Sequence, residues 1–292
     1  MTAMEPTTWQ DRALALSARF GAKPALAAPL PWSVWRSAVQ IAVRDTARPG
    51  LHVEWGRIGS REARIATPRD PVETVLWCHG GCFTLGSPRT HARLTDPMAA
   101  AGLRFVVPNY RLAPEHPFPA GYEDCLAAAR EIAAQGPFLL GGDSAGGTLA
   151  ASVLAQLLAD GTPPLRVALI APAADLDPAR PDPTGARDLV LSRPLLERIA
   201  RDYVAGANPA DPRLSPLRAD YPGCPPVLIH CSHGEILEED CDRLADRMRD
   251  GGGQVTVEKA AGLPHAWHIA AGRAPAADAA LAQMAAFLKG DA

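Results

Sequence analysis

The sequence predicts an α/β fold, with a mostly parallel central sheet, helices on both faces and a small helical cap. Three observations carry that expectation. From residue 51 onward, short apolar runs alternate with longer stretches of helical periodicity, the pattern of a parallel sheet covered on both sides. The glycine-rich segment Gly142-Asp143-Ser144-Ala145-Gly146-Gly147 joins one such run to one such helix. The connection between Ala171 and Val227 is long and rich in proline, which marks a functional excursion rather than a plain loop.

In chain order, residues 9–21 and 33–43 place apolar side chains at helical spacing: Trp9, Ala13, Leu16 and Phe20, then Trp35, Ala38 and Ile41. The Pro/Ala-rich stretch Lys23–Pro31 between them predicts a linker or turn. Leu51–Ile58 and Arg61–Ala66 predict a leading strand pair turning at Gly59-Ser60. Further strands are expected at Thr74–Cys78, Phe105–Pro108, Phe138–Leu140, Val167–Ile170, Val227–His230 and Val255–Glu258. Helices are expected near 88–101, 120–134, 145–159, 238–250 and 276–289, with one more at Arg193–Val204 inside the long excursion. The division that follows is an N-terminal pair of cap helices over 1–45 and a catalytic domain over 46–292. A cap insertion at about 176–220 would pack on the N-terminal helices.

Composition narrows the function. The chain is 47% hydrophobic and 21% charged with net charge −3, which suits a globular core and gives no basic footprint for nucleic acid. Met1 to Pro6 has neither a basic nor an apolar leader region, Glu5 and Asp11 do not suit a transit peptide, and no apolar window spans a membrane;. The expectation is a cytoplasmic protein whose six cysteines are free thiols. His52, His91, His230 and His233 form no metal-binding pattern, so neither a metal nor another cofactor is expected. Oligomeric state stays open, a homo-oligomer included.

The segment around Ser144 is a G-x-S-x-G pattern set between strand and helix. That context suits a nucleophile elbow, in which a sharp turn lifts a serine hydroxyl off the sheet while the helix N-terminus faces developing negative charge. The alternative is a glycine-rich turn with Ser144 as a helix N-cap. Upstream, His79-Gly80-Gly81-Cys82-Phe83 follows the Val75–Cys78 run. A tetrahedral oxyanion needs preorganised donors, and Gly80, Gly81 and Ala145 amides are assigned to it. His79 is read as a brace for this loop.

These segments, with Tyr110-Arg111-Leu112-Ala113-Pro114-Glu115-His116-Pro117-Phe118-Pro119-Ala120 between them, resemble the hormone-sensitive-lipase-like carboxylesterase family of α/β-hydrolases from about residue 72 to the C-terminus. The resemblance implies the α/β-hydrolase fold and a serine esterase. It also implies that the eleven-residue segment supports the oxyanion loop, with Glu115 and His116 structural. Cys82 stands where the family usually has a third glycine, so its side chain is expected to narrow the acyl pocket. No elbow surrounds it, and it is not read as the nucleophile.

A serine needs a general base, and the fold orders the partners Ser, Asp or Glu, then His. His265, after the last expected strand and a Gly/Pro loop, fits the base and the family's His-x-aromatic pattern. His268 is read as a surface residue. Glu235-Ile236-Leu237 sits where relatives carry Asp-Pro-Leu, so Glu235 is the expected acid. Asp240 is the alternative, and a purely capping role for the acidic cluster around 238–240 stays open. The expected activity is hydrolysis of short- to medium-chain carboxylic esters through an acyl-enzyme. A lactone hydrolase on the same residues is the alternative, and a ligand-binding member without turnover the remaining one. Trp9, Trp32, Trp35 and Tyr203 are read as core packing, with a pocket wall as their other reading.

Overall fold

The computed structural model describes residues 8–42, 48–181 and 185–291. Glu5, Pro183 and residues 43–45 of the expected N-terminal unit lie outside them. Helices α1 (Trp9–Ser17), α2 (Lys23–Ala27) and α3 (Trp32–Ala42) open the chain, with one wider turn at Ala18–Ala22 between the first two. The stretch expected as a linker is therefore helical over Lys23–Ala27. Pro24 sits at the second helical position, where its missing N–H costs nothing, and alanines complete the turn;.

Eight strands form one sheet: β1 (Leu51–Ile58), β2 (Arg61–Pro68), β3 (Glu73–Cys78), β4 (Leu103–Pro108), β5 (Leu139–Asp143), β6 (Val167–Ile170), β7 (Val227–His233) and β8 (Val255–Ala261). Their spatial order is β1-β2-β4-β3-β5-β6-β7-β8. The first two pairings are antiparallel and the remaining five parallel. The expected strand 138–140 starts one residue later and continues through Gly141, Gly142 and Asp143 to the serine, because glycines let β5 lie flat against Trp77 of β3 and Ala168 of β6.

Burial follows position in the sheet. Val75, Leu76, Leu139, Leu140, Val167 and Ile229 are fully buried, each worth roughly 1.5–3 kcal/mol relative to exposure. Edge strand β1 keeps Glu54 and Trp55 in solvent. Helices α4 (Ala92–Ala100) and α9 (Pro275–Lys289) pack on each other, as do α5 (Ala120–Ala133) and α6 (Ala145–Ala159), while α8 (Glu238–Asp250) packs on β7 and β8. No described helix is long and apolar enough to cross a membrane.

The excursion after β6 carries α7 (Arg193–Ile199) and a wider turn at Ala200–Val204. It meets the N-terminal helices through polar anchors. The Trp32 indole N–H donates to Asp202 at 2.7 Å, the Arg198 guanidinium lies 3.6 Å over the Trp32 ring, and Lys23 Nζ donates to the Asp188 carbonyl at 2.7 Å. Trp32 and Tyr203 are buried and Trp35 packs partly against the core, whereas Trp9 is 75% exposed. Trp9 and Leu16 of α1, with Phe20 of the wider turn, face solvent, while Asp11 and Leu14 on the opposite side of the helix meet the rest of the chain.

Candidate active site

The C-terminal ends of β5, β7 and β8 converge on one point. Ser144 follows β5 with φ 52° and ψ −121°, a strained conformation for a residue with a Cβ. Two forces hold it there. Its amide donates to the Ile170 carbonyl at 2.7 Å, and Gly146 lets the turn close, since a Cβ at that position would lie 2.0 Å from the Cys78 carbonyl oxygen. The serine side chain makes no capping bond to α6. Its Oγ instead lies 2.8 Å from His265 Nε2. That removes the helix-capping alternative.

His265 hangs on the loop after β8. The Ser232 hydroxyl, at the end of β7, donates to the Leu263 and Pro264 carbonyls at 2.8 and 3.1 Å and ties this loop to the neighbouring strand. Nδ1 of His265 donates to Glu235 Oε2 at 2.6 Å, and Glu235 Oε1 accepts the Ser232 amide at 2.9 Å. Burial works against the imidazolium, but the Glu235 carboxylate outweighs it, with Asp188 and Asp143 adding to the effect, so the His265 pKa stands above its ordinary value;.

Asp240, the alternative acid, is engaged elsewhere. It accepts the Ala174 and Asp175 amides and pairs with Arg180, and burial raises its pKa. Glu238 accepts the Gly234 amide and pairs with Lys259, while Glu239 is exposed. His268 is not a surface residue. Ala266, at φ 50°, reverses the chain and drives Trp267 and His268 inward, where His268 Nε2 lies 3.0 Å from His230 Nδ1. Burial pushes both imidazoles below their usual pKa, His230 to about 4.

The 79–83 loop flanks Ser144. Among the described residues no acceptor takes the amides of Gly80, Gly81 or Ala145, which leaves three donors beside the serine. The loop is fastened from several directions. The Tyr110 hydroxyl donates to the His79 carbonyl at 2.7 Å, Leu85 N donates to Gly81 O at 2.7 Å, and Ala113 N donates to Phe83 O at 2.9 Å. The expected brace by His79 uses one ring nitrogen rather than both: Nδ1 donates to the Gly80 carbonyl at 2.8 Å, while Nε2 is buried without a partner. Burial drops the His79 pKa to about 3 and keeps the ring neutral.

Arg36 of α3 reaches the same region, donating to the Thr84 and Ala113 carbonyls and to Glu115. His116 is exposed. Cys82 (φ 56°) and Phe83 (φ 60°) share the unusual backbone sign of Ser144, so strain gathers around the serine. Desolvation pushes the thiol of half-buried Cys82 up to about 12, so it stays protonated and is no nucleophile;. A cavity of about 380 Å³ opens from Ser144 and is walled by Cys82, Phe83, Leu191, Leu196 and Val204.

Four positioning residues were not singled out from sequence: Ser232, Asp188, Arg36 and His91. Asp188 accepts the Val190, Leu191 and Ile236 amides and so ties the excursion to the turn that presents Glu235. No local motif marks it. His91 lies 3.2 Å from Asp143, and only the position of Asp143 inside the serine motif could have hinted at a partner. Among the described residues no cluster of His, Cys, Asp and Glu suits a metal ion.

The chain is similar to known proteins in the following respects. A model of the alpha/beta hydrolase fold family matches residues 75–269. An acetyl-hydrolase of Streptomyces hygroscopicus is 38% identical over 75% of this chain and 76% of its own length. Carboxylesterase NlhH of Mycobacterium tuberculosis is 34% identical over 76% and 74%. Among solved structures, an esterase from the bacterial hormone-sensitive lipase family superposes with TM-score 0.88 at 29% identity, covering 97% of this chain and 98% of that one. A hormone-sensitive lipase from a metagenome library gives 0.87 at 28% identity, with 99% of each chain covered.

Proposed function

The chain belongs to the α/β-hydrolase fold family, among its carboxylic ester hydrolases, and on that premise we propose that Ser144, His265 and Glu235 carry the reaction. The supporting observation is the unbroken relay from Ser144 Oγ to His265 Nε2 and from His265 Nδ1 to Glu235 Oε2, beside the free Gly80, Gly81 and Ala145 amides.

Ser144 Oγ attacks the ester carbonyl carbon as His265 Nε2 takes the hydroxyl proton. Glu235 holds the imidazole in the tautomer with Nδ1 protonated and steadies the imidazolium. The carbonyl oxygen, now an alkoxide, is met by the three amides; each such donor is typically worth about 2.7–4 kcal/mol of barrier. The C–O bond then breaks, the alcohol oxygen takes the proton from His265, and the acyl group stays on Ser144. Water reverses the sequence and releases the acid.

Short- to medium-chain esters suit the cavity of about 380 Å³. The N-terminal helices and the 176–220 excursion act together as the cap over this cavity, with Leu191, Leu196 and Val204 as its ceiling. The test is hydrolysis of a p-nitrophenyl ester series from acetate to dodecanoate by wild type and Ser144→Ala. Turnover with a maximum at or below medium chain length, absent in Ser144→Ala, is expected. A folded Ser144→Ala enzyme at wild-type rate would overturn the assignment.

A further inference from the structure

Phe83 of the 79–83 loop and Tyr203 of the long excursion lie ring on ring, their centres 3.8 Å apart and their planes within 3° of parallel. Both residues are buried, and that spacing is van der Waals contact across the ring faces, with room for nothing between them. Tyr203 is not among the described residues that wall the cavity, although the nearby Arg201 and Val204 are. Its route to the site runs through Phe83.

The loop needs such a hold. Cys82 and Phe83 both carry positive φ, 56° and 60°, and two successive left-handed residues with side chains persist where their surroundings fix them. On one side, Phe83 O accepts the Ala113 amide and the Tyr110 hydroxyl holds the His79 carbonyl. Those bonds hold the main chain at two points. The Phe83 side chain, whose direction turns with the same φ, is held by Tyr203.

Tyr203 is itself fixed from several directions. Its carbonyl accepts the Phe118 amide at 3.0 Å, and the Phe118 ring meets its ring edge-on at 83°. The preceding Asp202 takes the Trp32 indole N–H, while Arg36, one turn further along α3, donates to the Thr84 carbonyl at 2.8 Å. One face of α3 thus holds both the turn that carries Tyr203 and the residue after Phe83.

Gly80 and Gly81 directly precede the left-handed pair, so a shift of the Phe83 ring moves the amides assigned to the oxyanion. Resting on the catalytic reading above, we propose that Tyr203 is a positioning residue, which holds the Gly80 and Gly81 amides at the oxyanion through the flat contact of its ring with Phe83.

The experiment uses p-nitrophenyl acetate and its thiono analogue, in which sulfur replaces the carbonyl oxygen. Sulfur accepts hydrogen bonds poorly, so the oxo-to-thiono ratio of kcat/KM reports how well the amides meet the oxyanion. The ratio does not depend on how much of the enzyme is folded. In Tyr203→Leu it is expected to fall about tenfold, because a displaced donor loses part of an effect of roughly 10²–10³. The kcat for the oxo ester should drop with KM little changed. Tyr203→Phe keeps the ring and should keep the wild-type ratio. Phe83→Leu, which removes the other ring, should give the same fall, and the double Leu variant no further one. A wild-type ratio in either folded Leu variant, or a Tyr203→Phe ratio as low as that of Tyr203→Leu, would overturn the positioning role alone. Hydrolysis of neither ester by wild type would overturn the catalytic reading and the role with it. Because the two Leu variants break the contact from opposite sides, one that folds is enough to decide.

Discussion

Asp143 Oδ2 stands 3.2 Å from His91 Nε2, with both side chains buried behind Gly80. The other Asp143 oxygen accepts the Trp77 indole N–H at 2.9 Å. The fit is tight: a Cβ on Gly80 would lie 2.2 Å from Asp143 Oδ2. The residue before Ser144 thus forms the floor on which the 79–83 loop rests. Burial disfavours both charges, yet each partner offsets it, so the His91 pKa is raised and that of Asp143 lowered.

Removing one partner leaves a buried charge alone, which costs about 3–5 kcal/mol. His91→Leu is expected to lower stability by that order, and Asp143→Asn in the same background to recover part of it. Chemical denaturation of the single and double variants measures the coupling. A His91→Leu protein as stable as wild type would mean that the pair is not ionised. The sign with pH follows from the two directions. His91 contributes below its unfolded pKa and loses that contribution as pH rises through its raised folded value. Asp143 contributes above the ordinary carboxylate range and loses its share as pH falls through the lowered one.

In the proposed mechanism His265 must be neutral to accept the serine proton, and its pKa is raised chiefly because Glu235 overcomes burial. The acid limb of kcat/KM is therefore expected above pH 6.5, the ordinary value. In Glu235→Gln the charge is gone and the amide can donate to Nδ1, which favours the wrong tautomer. Activity should fall by roughly 10³–10⁴, with the residual acid limb shifted to lower pH. A pH–rate profile of both enzymes decides it.

Cys82 occupies a backbone position with φ 56° and walls the cavity next to Ser144. Cys82→Gly relieves a conformation that L side chains resist and removes a thiol from the cavity. The ratio of kcat/KM for p-nitrophenyl octanoate to that for the acetate should rise several-fold. An unchanged ratio would show that acyl chains do not pass this residue.

Ser144 pays about 1–3 kcal/mol for its backbone conformation. Ser144→Gly and Ser144→Ala both lose the proposed nucleophile, but only glycine accepts φ 52° without strain. After glycine's greater unfolded-state entropy, worth about 0.4–1 kcal/mol, the glycine variant should still be the more stable by about 1 kcal/mol. Urea denaturation of the two variants reads this directly.

His230 and His268 are buried side by side with depressed pKa values, and each keeps one ring nitrogen without a partner. A depressed folded pKa contributes stability above about pH 6.5 that is lost as pH falls toward the folded value. In His268→Phe one such group is gone, so between pH 6.5 and 4 the fall in unfolding free energy should be shallower by about 1.4 kcal/mol per pH unit. Denaturation midpoints at stepped pH test the slope.

Local pattern determined much of this protein. Strand runs, helix spans and the strand–serine–helix segment are written in neighbouring residues, because hydrophobic period and turn chemistry act over a few positions. Ser144, His265 and Glu235 could be proposed because each follows a strand end in the order that the fold's chain path dictates. What neighbours cannot encode, the packing decided. Lys23–Ala27 became helix where proline suggested a break. His268 turned inward because Ala266 reverses the chain, and the N-terminal stripe of Trp9, Leu16 and Phe20 faced solvent despite its periodicity. Ser232, Asp188, Arg36 and His91 act on residues up to 79 positions away, as Arg36 does on Glu115. Such contacts depend on which strand ends meet in space. That is set by the order in which the sheet assembles, a property of the whole chain rather than of any segment.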